Sequence, residues 1–283
     1  MLVRCYQHGL LMQAGSGAKQ AAMILTIDCG NTNTVFALFD GAGFPSVWRM
    51  ATDSRRTADD LAVWLSQLMQ HPQLCNAGIE GVVISCVVPD CLRSLCQLAE
   101  KHFGCTPVVI ESGNPDLGIE IRIDRPSQAG ADRLANTAAA AAYYTVPALV
   151  VDFGTATTFD VIDADGAYCG GAIAPGVNLS IEALYRAAAR LPLIDTTSWH
   201  PAMPVIGGDT VDAMNAGLYF GYISLVEGMV RRIAGSMQQQ MTVIATGGLA
   251  VVFAPALDCV DVVDTDLTLK GMIAVYNKTR MKA

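Results

Sequence analysis

Two seven-residue stretches decide the reading of this chain: Asp28-Cys-Gly-Asn-Thr-Asn-Thr34 and Asp152-Phe-Gly-Thr-Ala-Thr-Thr158. Each follows a short apolar run, residues 24–28 in one case and 148–151 in the other. Each then leads into a second β-branched run, over 34–39 and 159–162. Apolar run, Asp, Gly, polar turn and returning run read as a β-hairpin. The device recurs 124 residues on, at positions 28 and 152, which an internal duplication of about half the chain explains.

Working outward, the pattern alternates. Thr57 with Asp60 reads as a capping box, and Leu61, Trp64, Leu65, Leu68 and Met69 share one helical face. A buried strand is expected over 82–88. A helix is marked by Leu92, Leu95, Cys96, Ala99 and Phe103, and a strand follows over 107–110. After the Ala-rich helix at 131–144, the second hairpin begins the series again. Gly171 and Pro175-Gly176 read as shaping a loop; helices are expected over 179–191, 210–237 and 267–278, and a strand over 242–245 that runs into Thr246-Gly247-Gly248. Gly217 and Gly221, four apart in the long helix, fit either a close helix contact, conceivably across a dimer, or ordinary tight packing. Strands alternating with helices over short connections indicate an α/β layered fold.

Composition narrows the function classes. Of 283 residues, 52% are hydrophobic and 16% charged, and 18 Lys+Arg against 26 Asp+Glu leave a net charge of −8. The acid excess argues against nucleic acid as a partner, since that needs clustered cations to displace counterions. No stretch reads as a membrane span. Nine cysteines form an odd set without a C-x-x-C pair, so they read as reduced thiols of a cytoplasmic protein and not as a disulfide framework. Residues 1–22 lack the long apolar core of a secretory signal and read as a disordered extension or a misplaced start codon. The expected organisation is therefore an extension over 1–22, an N-terminal half over 23–145 and a C-terminal half over 146–283.

The chemistry follows from the turns. A strand ending in Asp, then Gly with small hydroxyl or amide residues, directs several backbone N–H groups to one point, a cradle for phosphate oxygens. A carboxylate at its lip supplies the hard oxygen that Mg²⁺ prefers. Two such cradles can clamp nucleotide phosphates across a cleft, with a third Gly-Gly turn at 247–248 beside them.

At this point Asp28–Thr34 (DCGNTNT), Gly130–Asn136 (GADRLAN), Asp152–Thr158 (DFGTATT), Gly170–Gly176 (GGAIAPG) and Thr246–Ala250 (TGGLA) can be set in order. The series resembles the motifs of type III pantothenate kinase over essentially residues 23–278. The resemblance implies a duplicated ribonuclease-H-like, actin-like α/β fold with a nucleotide cleft between two similar halves. It also implies transfer of the ATP γ-phosphoryl group to pantothenate, giving 4'-phosphopantothenate, the first step of coenzyme A biosynthesis. By the same resemblance Asp28, Cys29, Gly30, Asn31, Thr32, Asn33, Thr34 and Val35 form the first ATP loop, with Asp28 near Mg²⁺, and Thr155 is a second ATP contact. Asp132 matches the proton acceptor. Gly130, Ala131, Arg133 and Thr210 match substrate-contacting positions, with Arg133 in reach of the pantothenate carboxylate. Asp152 matches the ligand of a monovalent cation, K⁺ or NH4⁺, and the family implies a homodimer.

Two positions depart from the family pattern. Ile123 stands where a Tyr is usual, and Gly207-Gly208-Asp209-Thr210 replaces a Gly-Lys-Asn-Thr loop. Both changes bear on substrate affinity, and neither touches Asp28, Asp132 or Asp152. They also motivate the alternatives, a non-catalytic nucleotide-binding regulatory or accessory protein, or a kinase of another small hydroxy acid.

Overall fold

A computed structural model describes residues 22–70, 78–112, 114, 117–188 and 190–282. The expected extension lies outside the described residues except for Ala22. Strand β1 (Ala22–Cys29) pairs antiparallel with β2 (Asn33–Phe39), which pairs antiparallel with β3 (Ser46–Ala51). On the other side of β1, β4 (Gly78–Cys86) and β5 (Val108–Ile110) add in parallel, so the order is β3-β2-β1-β4-β5. The second sheet is built from β6 (Ala148–Phe153), β7 (Ala156–Ile162), β8 (Tyr168–Pro175), β9 (Thr242–Thr246) and β10 (Val262–Val263). Its order, β10-β9-β6-β7-β8, with the same parallel and antiparallel pairings, repeats the first. The two halves are therefore similar in topology as well as in their turns.

Side-chain alternation decides what covers each sheet. Leu25, Ile27 and Cys29 of β1 join Leu61 and Leu65 of α1 (Ala58–Met69) and Leu95 and Leu98 of α2 (Pro89–His102). The Thr57–Asp60 capping box is present at the start of α1. The opposite face, through Ala37 and Val83, meets Leu134 and Ala138 of α3 (Ala131–Tyr143) and Met272 and Val275 of α7 (Leu267–Lys282). In the second sheet Leu149, Val151 and Phe153 pack against Tyr219, Tyr222 and Val226 of the long helix α5 (Thr210–Met237). Its other face, through Val150 and Ile244, meets Ala139 and Ala140 of α3 and Leu267 of α7. Helices α3 and α7 thus fill the space between the sheets.

Small residues let these two helices cross closely. A Cβ on Gly271 would overlap the carbonyl oxygen of Ala135. The crossing brings the Thr268 hydroxyl to Asn136 Oδ1, to which it donates at 2.8 Å. Behind the second hairpin, Phe253 of α6 (Ala250–Phe253) stacks on Phe153 with centroids 5.4 Å apart and lies against Trp199, Tyr219 and Tyr222. That aromatic cluster anchors the strand that ends at Asp152.

Five expectations change. The fourth strand occupies Gly78–Cys86, and Val88 caps α2, where Pro89 opens the helix. Ser46–Ala51 is a strand that the sequence reading passed over, its Trp48 and Met50 packed on the first core. Gly171 and Pro175 lie in β8 and not in a loop; a Cβ at Gly171 would overlap the Phe159 carbonyl, so glycine is what lets β8 approach β7. Gly217 and Gly221 are exposed, and a Cβ at either meets nothing within 4 Å, so tight packing within the chain does not explain them. Helix α4 (Val177–Ala187) begins two residues before the expected start and ends four before the expected end.

If the α3–α7 crossing holds the halves together, Gly271→Ala lowers stability by about 1–3 kcal/mol, the usual range for overpacking. Thermal melting checks this, and an unshifted Tm contradicts it.

Candidate active site

The two hairpin turns meet. Thr32 and Thr155, 123 positions apart, place their hydroxyls 2.8 Å from one another. Each turn is closed by its glycine N–H: Gly30 N donates to Asn33 O at 3.0 Å, and Gly154 N to Ala156 O, one residue nearer, at 3.2 Å. Asn31, Thr32, Asn33, Gly154 and Thr155 are exposed around this contact. Gly176 lies so near the second turn that a Cβ would overlap the carbonyl of Thr155. Gly247, at φ +90, lies against Phe153 N and Asp152, so the third turn joins the other two.

Three carboxylates lie beneath the turns. Asp28 and Asp152 end β1 and β6 at equivalent places, paired in register with Ser85 of β4 and Thr246 of β9. Ser85 Oγ donates to Asp28 Oδ1 at 2.9 Å, and Asn136 Nδ2 donates to Asp152 Oδ2 at 3.2 Å. Asp132 enters from α3, in the first turn of the helix, where the dipole favours negative charge. Its Oδ1 accepts from Arg133 N at 2.8 Å, and it lies so close to Gly130 that a Cβ there would crowd the carboxylate.

The electrostatics show that these groups share one space. Burial pushes the Asp28 carboxyl up to about 7, the charges of Asp132 and Asp152 push in the same direction, and the Ser85 hydroxyl opposes them. Burial likewise raises Asp152 to about 6, helped by Asp132 and opposed by Asn136 and Arg133. Arg133 does not pair with Asp132. Its Nε lies 3.3 Å from Asp160 Oδ1, its Nη1 donates to the Tyr168 hydroxyl at 3.0 Å, and its Nη2 is buried without a partner. Asp160 is fully buried and raised to about 7 by that burial, against the pull of Arg133 and Thr158.

The sequence-derived residues are placed unequally. Asp28, Asp132, Arg133 and Asp152 come together, with Gly30, Asn31, Thr32, Asn33 and Thr155 above them. Cys29 and Thr34 turn their side chains inward, where the Thr34 hydroxyl donates to Cys29 Sγ at 3.5 Å and lies 2.9 Å from Thr52 Oγ1. Val35 lies on β2 in register with Asp28, and Gly130 and Ala131 form the entry to α3. Thr210 is exposed at the start of α5, capped by Asp209, and makes no hydrogen bond to the aspartates. Sequence reasoning missed Ser85, Asp160, Tyr168 and Thr268, and it quoted Asn136 without giving it a role. Strand register with Asp28 was the one signal that could have found Ser85.

A duplicated β-sheet unit whose two turns meet defines the actin-like fold, and solved structures agree. MreB5 of Spiroplasma citri bound to ADP matches at TM-score 0.54 over 93% of this chain and 99% of that one, at 10% identity. A ROK hexokinase from Thermus thermophilus matches at 0.51 over 92% and 99%, at 13% identity. At such identities the likeness speaks for the fold alone. The family model for type III pantothenate kinase matches residues 24–232. The type III pantothenate kinase of Paramagnetospirillum magneticum is 49% identical over 256 residues, 90% of this chain and 97% of that protein. That of Caulobacter vibrioides is 50% identical over 257 residues, 90% and 97%. The chain belongs to the type III pantothenate kinase family.

The raised carboxyls carry a stability consequence. Asp28 and Asp152 hold their protons more tightly when folded than at the ordinary 3.8, so their stabilising contribution is full below about pH 4. It is lost as the pH rises through 6 and 7. Asp152→Asn should therefore melt with the ligand-free wild type at pH 4 and several degrees above it at pH 8. A difference independent of pH contradicts the assignment.

Proposed function

We propose that the chain transfers the γ-phosphoryl group of ATP to the primary hydroxyl of pantothenate, in the cytoplasm, as the first step of coenzyme A biosynthesis. The observation that carries the site-level reading is the convergence of Asp28, Asp132 and Asp152 under the touching turns of Thr32 and Thr155. The exposed residues 31–33 and 154–155, with Gly30 beneath them, receive the phosphates, whose oxygens suit N–H and hydroxyl donors. Arg133, with its unpartnered Nη2, takes the pantothenate carboxylate. We include Thr210 among the substrate contacts on family resemblance.

Asp132 positions the attacking hydroxyl. Its Oδ1 is held by the Arg133 backbone, which leaves Oδ2 to accept the hydroxyl's hydrogen bond. As the new phosphorus–oxygen bond forms and the β–γ bridge breaks to release ADP, the hydroxyl proton passes to Asp132. Phosphoryl transfer depends mainly on such positioning and on neutralising charge.

The donor set fits cations. Asp28 and Asp152 are hard oxygen ligands, raised chiefly by burial and further by the charge of Asp132, and a cation would offset both. Among the described residues no cluster of three His, Cys, Asp or Glu is spaced as a preformed cage. Asp28, together with the nucleotide phosphates, would hold Mg²⁺, which would supply neutralisation of the charge on the transferred group. Asp152, oriented by Asn136, would hold K⁺ or NH4⁺, as the family resemblance implies.

We infer a homodimer through α4 and α5, on whose surface Leu179, Tyr185 and Val211 are exposed beside Gly217 and Gly221. No described helix is long and apolar enough to cross a membrane. Light scattering should give about twice the 29.9 kDa chain mass, and a monomer mass contradicts the pairing.

The direct test of activity is ADP release with Mg-ATP, in K⁺ and in Na⁺ buffer, with and without pantothenate. Pantothenate-dependent turnover is expected, and its absence in both buffers overturns the reading. Asp132→Asn should cut kcat by about 10²–10⁴, the range for losing a positioned base, while ATP affinity changes less than twofold. A variant with near wild-type kcat removes Asp132 from this role.

A further inference from the structure

Arg133 is the cationic side chain placed beside the three aspartates, and its direction is held from behind. The guanidinium reaches Asp160 through Nε and the Tyr168 hydroxyl through Nη1. Both partners are almost wholly buried, Asp160 at 0% and Tyr168 at 1% exposure, so neither can touch a substrate in the cleft. They are themselves fixed. Thr158 Oγ1 donates to Asp160 Oδ2 at 2.9 Å, and the Tyr168 hydroxyl lies 3.4 Å from Asp160 Oδ1. Tyr168 is held by backbone bonds as well, its N donating to Glu120 O and its O accepting from Arg122 N. Two of the five donors of the fork are thereby committed to a rigid wall formed by β7 and β8, and Nη2 remains buried without a partner.

Placing an ionised carboxylate inside a core is costly unless it is paired, and a buried pair contributes little net stability compared with an apolar replacement. The arrangement is better explained by what it does to the third nitrogen. A guanidinium is planar, so fixing Nε and Nη1 fixes the plane in which Nη2 donates. A free Arg side chain has many rotamers, and holding one in place beforehand reduces the entropy lost when an anion binds.

We propose that Asp160, assisted by Tyr168, is a positioning residue that orients Arg133 for the carboxylate of the acceptor substrate and so sets the enzyme's preference for an acid over its neutral amide. The inference rests on the reading that Arg133 meets the pantothenate carboxylate. Asp160 acts through Arg133 and makes no contact with ATP or with the reacting hydroxyl. Its loss therefore changes KM for the acidic acceptor and leaves kcat and the KM for ATP largely as they were.

The test compares pantothenate with a pantothenamide, in which an uncharged amide replaces the carboxylate, as acceptors for wild type, Asp160→Asn, Tyr168→Phe and Arg133→Gln. Asp160→Asn keeps the shape and the Thr158 contact while removing the charge. It should raise the ratio of pantothenate KM to pantothenamide KM about tenfold, the factor for one charge-assisted hydrogen bond, with kcat for pantothenate within threefold. Tyr168→Phe should shift the same ratio in the same direction by a smaller factor. If Asp160→Asn is too unstable to assay, Tyr168→Phe carries the comparison alone. An unchanged ratio in the assayable variants, while Arg133→Gln does change it, overturns the positioning role and leaves the Arg133 reading standing. An unchanged ratio in Arg133→Gln overturns the carboxylate reading and the inference with it.

Discussion

Three like charges drawn into one partly buried space are the constraint on which the rest of this structure depends. Burial raises the carboxyls of Asp28 and Asp152, and the neighbouring charge of Asp132 adds to the effect on both. Left to itself such a cluster would open or protonate. Here it is kept closed by elements with other reasons to be where they are: Asp28 and Asp152 terminate core strands, and Asp132 heads a helix packed between two sheets. On the proposed reading, cations that enter with the nucleotide offset this charge. The fold accepts lower stability near neutral pH in return for a site that, on the proposed reading, takes a cation with the nucleotide and needs no basic surface. The net charge of −8 is therefore compatible with ATP, because neutralisation is local.

Duplication is what makes the convergence possible. A single β-sheet unit offers one Asp–Gly turn and one carboxylate, which is a weak anion site. Two copies facing each other bring Thr32 to Thr155, and the helices that end the halves, α3 and α7, cross between them. Asn136 shows the economy of this crossing. It sits one helical turn beyond Asp132, accepts from Thr268 of α7 and donates to Asp152 of the second sheet. One side chain thus ties the helix that carries Asp132, the closing helix and Asp152 together. The halves are alike in strand order but unlike in chemistry, since only the first contributes Asp132 and Arg133, and only the second supplies Asp160 and Tyr168 behind them.

Much of this could be read in the chain before any coordinates. The paired hairpins, the capped helix at Thr57 and the helix carrying Asp132 and Arg133 follow from local patterns, because strands, caps and turns are decided by neighbours in sequence. What escaped reading depends on partners far away. Ser85 is 57 positions from Asp28, and Thr268 is 132 from Asn136, so no spacing rule connects them. Asp160 lies two residues past the second turn motif, yet its burial shows only once β7 and β8 are paired against α3. The glycines of β8 misled for the opposite reason. Glycine usually marks a loop, and here Gly171 is required by the approach of one strand to another's carbonyl. Cys29 and Thr34 belong to the loop by sequence, but strand alternation turns their side chains to the core.

The central claim is that the three aspartates and the two turns form one phosphoryl-transfer site. A crystal structure with pantothenate, Mg²⁺ and a non-hydrolysable ATP analogue tests this most directly. The account predicts phosphates against the turns of Thr32 and Thr155, and the pantothenate hydroxyl within about 3 Å of Asp132. A nucleotide bound outside the cleft, or an acceptor hydroxyl held by a different carboxylate, would contradict it.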